Sequence, residues 1–176
     1  MLSEPTDTDW AYAARLVDGE GCIAVVRYFG PRRARFYYSV QVVIANNNRP
    51  VLDWVGATWG GIVVPVAAPG PGGRTKASWA WRCSTTIARS FLTGIQPWLR
   101  IKVKQCENAL AMATLLQRSR RTLGRERIPQ AWLDEQERHY WIQRELNHRG
   151  TEPFIRKPMH SPRRVHRINA ERLGSF

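Results

Sequence analysis

Two carboxylates stand on either side of a glycine in the segment ARLVDGEGCIAVV, residues 14–26. Asp18 and Glu20 come directly after a run of small and apolar residues, and a β-like segment follows them at once. A carboxylate at a helix end can bind Mg²⁺, which prefers hard oxygen ligands and usually takes one or two protein carboxylates while keeping most of its waters. Acids in a turn can instead accept hydrogen bonds from backbone amides. Each acid is therefore a candidate metal ligand with a structural alternative.

The hydrophobic periodicity predicts the elements that must position these acids. Helices are predicted over 10–17 (stopped by Gly19 and Gly21), from a cap at Asn47 or Asn48 to Gly60, from Thr85 or Thr86 to Ile95, from Pro97 to Gln117, and over 129–149. Strands are predicted over 22–29, 35–45, 62–66 and 78–84. This αββαββα order predicts an α+β fold with one antiparallel four-stranded sheet backed by helices, plus a C-terminal helix and a basic tail. We expect a single domain over 1–150 and an extended tail over 151–176.

The chain carries a large excess of positive charge. Its 176 residues include 27 Lys and Arg against 14 Asp and Glu, which gives a formal net charge of +13 at pH 7. Such a chain repels itself, so a polyanion such as a nucleic acid is the simplest partner. No apolar run is long enough to span a bilayer, and the polar start MLSEPTDTDW does not resemble a secretory signal. We therefore expect an intracellular protein, cytoplasmic or encoded by a phage or organelle, that is neither secreted nor bound to membranes.

One face of the predicted sheet has the side chains needed to contact DNA. In the strand 35–45, apolar residues alternate with residues that carry hydrogen-bonding groups. Long polar side chains on a sheet can reach base edges in the major groove, while basic side chains bind phosphates. A solvated sheet face is the alternative explanation. The candidate DNA contacts are Arg27, Arg32, Arg33, Arg35, Tyr37, Ser39, Gln41, Arg74, Lys76, Ser78, Arg82 and Lys104.

Two motifs resemble those of a known enzyme family. The stretch AARLVDGEG, residues 13–21, resembles the LAGLIDADG signature of homing endonucleases in its variant that ends in DGEG. The stretch IQPWLRIKVKQ, residues 95–105, is similar to the segment that follows the family's fourth strand, and ELNHRG before residue 151 resembles a helix end of free-standing members. The resemblance spans about 10–150, with the motifs in the right order around four strands. A single copy of the signature implies a homodimer and a palindromic or nearly palindromic DNA target.

The resemblance implies a role for each of several residues. Glu20 would bind Mg²⁺ or Mn²⁺ together with the carbonyl of Gly19, while Asp18 would support the helix end. Lys102 would lie near the scissile phosphate and either stabilise charge or merely position the phosphate, and Asn46 would order a water near the metal. Small residues allow two such helices to approach closely, although an arginine stands where the signature has glycine. The predicted dimer contacts are Ala11, Ala14, Arg15 and Asp18.

Three functions are compatible with these residues. The first is a site-specific DNA endonuclease that makes a double-strand break, because divalent metals can activate water, stabilise the oxyanion and neutralise the leaving alkoxide of a phosphodiester. The second is an intron maturase that binds structured RNA, and the third is a DNA-binding regulator that has lost cleavage. Glu20 favours the first function, since neither alternative requires a metal-binding carboxylate at this position.

Overall fold

The computed structural model describes residues 4–30, 35–67, 76–122, 128–149 and Phe154. The helices of these ranges are α1 (Asp7–Glu20), α2 (Arg49–Trp59), α3 (Thr85–Ile95), α4 (Val103–Thr122) and α5 (Gln130–Leu146). The strands are β1 (Gly21–Gly30), β2 (Arg35–Asn46), β3 (Ile62–Ala67) and β4 (Ser78–Ser84). The predicted α+β class and αββαββα order are confirmed. The predicted tail, 151–176, lies outside the described residues except for Phe154.

The four strands form one antiparallel sheet in the order β1-β2-β4-β3. On β2, the side chains of Tyr38, Val40, Val42 and Ile44 are buried, which confirms the alternation predicted from the sequence. They face the layer formed by the helices α1 to α5, which pack on the same side of the sheet. The opposite side of the sheet carries no helix of the described ranges. No helix in these ranges is long and apolar enough to cross a membrane.

Helix α1 begins at a capping box and ends directly in a strand. The Asp9 amide donates to the Thr6 hydroxyl (3.3 Å) and the Thr6 amide donates to the Asp9 carboxylate (2.8 Å), so two otherwise unpaired donors are satisfied. The prediction that Gly19 ends the helix was wrong, because α1 continues through Gly19 to Glu20. Gly21 ends it, and a Cβ at Gly21 would lie 2.7 Å from the backbone of Val17. This contact explains the glycine and brings β1 back against α1 without a loop.

The segment before α4 was predicted to be part of that helix, but it does not form an α-helix. A short 3₁₀ turn, Gln96–Trp98, is followed by irregular backbone, and α4 begins at Val103 instead of Pro97. The carboxylate of Asp18 accepts hydrogen bonds from the amides of Arg100, Ile101 and Lys102 and so holds this backbone in a turn. A contact that spans more than 80 residues of sequence therefore overrides the local helical preference.

Candidate metal centre and nucleic-acid interface

Glu20 is the last residue of α1 and its side chain is exposed. It forms no hydrogen bond or ion pair within the described part of the chain. Gly19 is also exposed, and no atom from outside its own stretch of α1 lies within 4 Å of the place where its Cβ would stand. Because the last carbonyls of a helix lack partners within the helix, the end of α1 presents a free carboxylate beside backbone oxygens. These are hard oxygen donors, which suit Mg²⁺ or Mn²⁺.

Asp18 supports the end of α1 and does not act as a metal ligand. Its side chain is buried, with 7% of the residue's surface exposed. Its Oδ2 accepts from the amides of Arg100 (2.7 Å) and Ile101 (3.2 Å), and its Oδ1 accepts from the amide of Lys102 (2.9 Å). A carboxylate that receives three backbone donors has little lone-pair capacity left for a metal ion. Asp18 instead anchors the segment that carries Lys102 to the end of α1.

The ammonium of Lys102 lies at the C-terminal end of α1. Its Nζ donates to the carbonyl oxygens of Val17 (2.9 Å) and Asp18 (2.5 Å), where a cation also stabilises the helix dipole. Burial lowers the pKa of Lys102, and the charge of Arg149 lowers it further, although Asp18 and the weaker influence of Glu20 oppose this shift. An ammonium has three donors. Two of them are used, so one proton remains available to a phosphate or a water.

Asn46 reaches the same end of the sheet as Glu20. The strand register pairs Gly21 with Ile44, and Asn46 follows two residues later as the last residue of β2. Its side-chain oxygen accepts from the amide of Asn48 at 2.8 Å. Its amide group therefore remains the donor that a water could use.

A single chain offers few carboxylates for a metal site. Within the described ranges, no group of three or more His, Cys, Asp and Glu side chains is placed to hold an ion. The donor set at the end of α1 nevertheless fits a cation that keeps most of its waters, since one carboxylate and one carbonyl are sufficient protein ligands. Glu20 and Gly19 are therefore the residues that would hold it.

The helix-free face of the sheet holds most of the predicted DNA contacts. The register places Tyr28 beside Tyr37, Val26 beside Ser39, Ala24 beside Gln41 and Val43 beside Arg82. The side chains on this face alternate between polar and small apolar, so it is less polar than the β2 sequence alone indicated. The predicted contacts on it are Arg35, Tyr37, Ser39, Gln41, Ser78 and Arg82.

An aromatic stack lies at the far end of this face. The rings of Tyr28 and Tyr37 stack with centroids 5.6 Å apart and an angle of 14° between their planes. The guanidinium of Arg35 lies 4.6 Å from the centroid of Tyr37. Tyr28 is 53% exposed, so the stack presents a flat apolar ring to the outside.

The prediction that Arg27 contacts DNA was wrong. Its position alternates with Ile23 and Val25, which places it on the helix-covered side, and only 5% of its side chain is exposed. It forms an ion pair with Glu137 of α5 at 2.5 Å, and its guanidinium lies over several aromatic rings. Those rings belong to Phe36, Tyr140 and Trp141. Arg27 therefore joins α5 to the sheet.

Glu137 is the acid that receives this buried arginine, and sequence reasoning missed it. Its carboxylate also accepts hydrogen bonds from the hydroxyl of Tyr38 and from the indole of Trp141 (2.6 Å). Burial raises the pKa of Glu137, but the hydrogen bonds from Tyr38 and Arg27 outweigh it, so the pKa is lowered overall. The sequence did contain a signal for such an acid. Arg27 alternates along its strand with the core residues Ile23 and Val25, and a buried arginine requires an acidic partner.

The remaining predicted basic contacts are dispersed. Lys76 and Lys104 are exposed, the first just before β4 and the second at the start of α4. Arg32, Arg33 and Arg74 lie outside the described residues.

The four predicted dimer contacts divide between two faces of α1. Ala14 is fully buried in the chain's own core and Asp18 nearly so. These two side chains therefore present no surface to a second copy, which corrects that part of the prediction. Ala11 is half-buried and Arg15 is exposed, and together with Gly19 they form the outward stripe of α1 at a spacing of four residues.

The end of α5 contributes basic residues that the sequence analysis did not select. Arg149 lines a cavity of about 360 Å³ together with Gly21, Lys102 and Gln105, next to the end of α1. Arg144 lines a neighbouring cavity of about 450 Å³ against β1. Both arginines are exposed. The signal that could have identified them was basic residues on both sides of a helix end, with Arg144 in the last turn of α5 and Arg149 three residues beyond it.

No protein-family model matches the sequence, and no curated protein matches it. Among solved structures, the homing endonuclease I-CvuI in complex with its target is similar, with 16% identity, 97% coverage of both chains and a TM-score of 0.63. The archaeal intron-encoded homing endonuclease I-Vdi141I complexed with DNA has 15% identity, covers 85% of this chain and 90% of its own, and has a TM-score of 0.65. The LAGLIDADG homing endonuclease I-SmaMI bound to cleaved DNA has 13% identity, covers 80% of this chain and 45% of its own, and has a TM-score of 0.58. The chain therefore has the fold of LAGLIDADG homing endonucleases.

Proposed function

We propose that this chain is a site-specific DNA endonuclease that uses a divalent metal and acts as a homodimer to make a double-strand break. The observation that carries the proposal is the exposed carboxylate of Glu20 at the end of α1, the same helix end at which the ammonium of Lys102 binds the carbonyls of Val17 and Asp18. The fold supports the proposal, because structures with the same fold at low sequence identity are homing endonucleases bound to DNA.

Glu20 and the carbonyl of Gly19 would hold Mg²⁺ or Mn²⁺. A bound metal neutralises charge on the phosphate and lowers the pKa of a water to make it a nucleophile. The ammonium of Lys102 lies at the same end of α1, and its remaining proton would stabilise the oxyanion that develops at phosphorus. Asp18 contributes indirectly, because its three backbone hydrogen bonds fix the turn on which Lys102 is mounted. Asn46 would donate a hydrogen bond to a water near Glu20.

A second copy of the chain supplies the second carboxylate that cleavage of both strands requires. The outward stripe of α1, defined by Ala11, Arg15 and Gly19, is the surface where the two copies would meet. Small residues at its ends permit close approach. Arg15 must lie at the edge of this contact or pair with an acid of the second copy, since an unpaired buried guanidinium costs several kcal/mol. A two-fold dimer implies a palindromic or nearly palindromic target.

The helix-free face of the sheet would lie on the DNA. Gln41 and Ser39 near its centre can exchange hydrogen bonds with base edges, and Arg82 can bind either guanine or a phosphate. The apolar side chains between them suit contact with thymine methyl groups. Base recognition would thus come from this face and cleavage from the end of α1.

The test is a selection for cleaved sites from a randomised duplex library in Mg²⁺, followed by cleavage of the selected site by purified variants. We expect Glu20→Gln to reduce the cleavage rate by well over about a hundredfold, because even outer-shell partners of a metal ligand contribute 10–100-fold. Folding should be unchanged, since Glu20 is exposed and forms no hydrogen bond among the described residues. The matched control is Glu107→Gln, which removes the same charge from an exposed position on α4 and should cleave normally.

Three outcomes would contradict the proposal. A wild-type protein that binds duplex DNA tightly but never cleaves it would be a DNA-binding regulator. One that retains intron RNA and ignores duplex DNA would be a maturase. Equal cleavage by wild type and Glu20→Gln would place the chemistry elsewhere in the molecule.

A further inference from the structure

Two cavities run together along the edge of the sheet formed by β1. The first, of about 360 Å³, lies beside Gly21 and Lys102, next to the candidate metal ligand Glu20. The second, of about 450 Å³, follows the backbone of β1 from Ala24 to Arg27 and reaches Arg144. Asn147 and Arg149 line both cavities, so the two are adjacent and Arg149 stands at their boundary.

Three side-chain hydrogen bonds fix the end of α5, from which the chain continues to Arg149. The side-chain amide of Gln105 donates to the carbonyl of Leu146 (3.0 Å), which ties the end of α5 to α4. The amide of Asn147 donates to the carbonyl of Ile23 (2.8 Å), which ties the same turn to β1. The amide of Gln143 donates to the same carbonyl at 2.7 Å. Arg149, two residues after the tethered Asn147, is therefore placed on a fixed support.

The charges on these cavities are unbalanced. Lys102 and Arg149 line the first cavity together, and Arg144 joins Arg149 on the second. Within the described part of the chain, neither Arg144 nor Arg149 forms an ion pair with an acid. Cations that face a shared cavity repel one another, and an anion that enters the cavity removes the repulsion and gains charge-assisted hydrogen bonds. A guanidinium can bind a phosphate through two parallel hydrogen bonds.

We propose that Lys102, Arg149 and Arg144 form a phosphate-binding track along the β1 edge, which holds the backbone of one DNA strand as it leaves the cleavage centre. Arg149 is a positioning residue in this track and binds a phosphate neighbouring the one that is cut. The track rests on the proposed endonuclease function. Unlike the helix-free face of the sheet, the track does not distinguish one base sequence from another, because it contacts only phosphates.

The experiment compares the salt dependence of DNA binding in wild type and three variants, in EDTA so that no cleavage occurs. The probe is a fluorescently labelled duplex that carries the selected site, and the readout is the slope of log K against log salt by fluorescence anisotropy. Arg149→Gln should reduce the magnitude of this slope by about 1, which corresponds to the loss of one phosphate contact. Arg149→Lys should restore most of the slope, since a lysine still neutralises the phosphate.

The matched control is Arg138→Gln on α5, the helix that precedes Arg149. It removes the same charge from a side chain that is 61% exposed and lines neither cavity, so its slope should equal that of the wild type. Circular dichroism checks that all variants are folded. If Arg149→Gln keeps the wild-type slope, or if Arg138→Gln lowers it equally, the track is refuted.

The failure of the track is distinguishable from the failure of the endonuclease proposal. If the wild type cleaves its site and Arg149→Gln has unchanged slope and unchanged single-turnover rate, the endonuclease stands and the track falls. If the wild type cleaves no DNA, a random-sequence duplex replaces the selected site, and a reduced slope for Arg149→Gln supports the track alone. A slope that changes with an RNA hairpin but not with a DNA duplex overturns the assignment of DNA to this surface.

Discussion

Replacing Asp18 by asparagine tests the connection between the end of α1 and the turn that carries Lys102. The two side chains have nearly the same shape, but asparagine has one acceptor oxygen where aspartate has two. In the native protein Oδ2 accepts two backbone amides and Oδ1 accepts a third. Whichever way the asparagine amide is oriented, its NH₂ group must face at least one backbone N–H.

The magnitude follows from counting these bonds. The better orientation keeps the two bonds to Arg100 and Ile101 and leaves the buried amide of Lys102 without an acceptor, which costs about 1–3 kcal/mol. The two retained bonds lose their charge assistance, which is worth about 1 kcal/mol each. We therefore expect Asp18→Asn to lower the free energy of unfolding by about 3–5 kcal/mol, a large share of the 5–15 kcal/mol of a typical domain.

The assay is urea denaturation followed by tryptophan fluorescence and circular dichroism. Asp53→Asn is the control, because Asp53 pairs with Arg49 at 3.3 Å on the exposed surface of α2 and such pairs contribute about 0.2–1 kcal/mol. If the two variants differ from the wild type by similar small amounts, the three hydrogen bonds of Asp18 contribute little to the stability of the fold. A variant that stays folded should also cleave more slowly, since Lys102 loses its anchor.

Other substitutions test neighbouring parts of the fold. Gly21→Ala should destabilise the protein by about 1–3 kcal/mol, as thermal melts would reveal, because its Cβ would lie 2.7 Å from the α1 backbone. At Gly19 an added Cβ meets no atom of another part of its own chain within 4 Å, so any stability that Gly19→Ala loses would come from the proposed contact with a second copy. Glu137→Gln should destabilise the protein, because it leaves the Arg27 side chain, which is only 5% exposed, without its ionic partner. The loss should be smaller than the about 3–5 kcal/mol that breaking a fully buried ion pair costs, because the Glu137 side chain is 36% exposed. The lowered pKa of Glu137 means that its carboxylate stabilises the fold at pH values above 4.5, its unfolded value, and that this contribution is lost as the pH falls through the folded pKa. The stability difference between wild type and Glu137→Gln, measured by denaturation at several pH values, should therefore shrink below that pH, and a constant difference would contradict the assignment.

Local sequence patterns were sufficient to predict the order of the helices and strands and to place Glu20 at the end of the first helix. The alternation in β2 predicted the buried faces of Val40, Val42 and Ile44, because successive side chains of a strand necessarily point to opposite sides. The cap residues before α1 and the glycine at its end predicted a helix there, although not its extension through Gly19. Each of these features depends on residues close to one another in the chain, so the sequence alone is enough to predict it.

Tertiary packing decided the remaining questions. Arg27 reads as a surface cation in a basic chain, and only the approach of α5 makes it a buried partner of Glu137. Leu99 to Lys102 read as helix, and only the carboxylate of Asp18, more than 80 residues away in sequence, holds them in a turn. In both cases the energy of a charged group depends on which donors, acceptors and rings surround it, and distant parts of the chain supply those groups. The sequence by itself therefore determined which residues could do chemistry, and the folded packing determined which of them are free to do it.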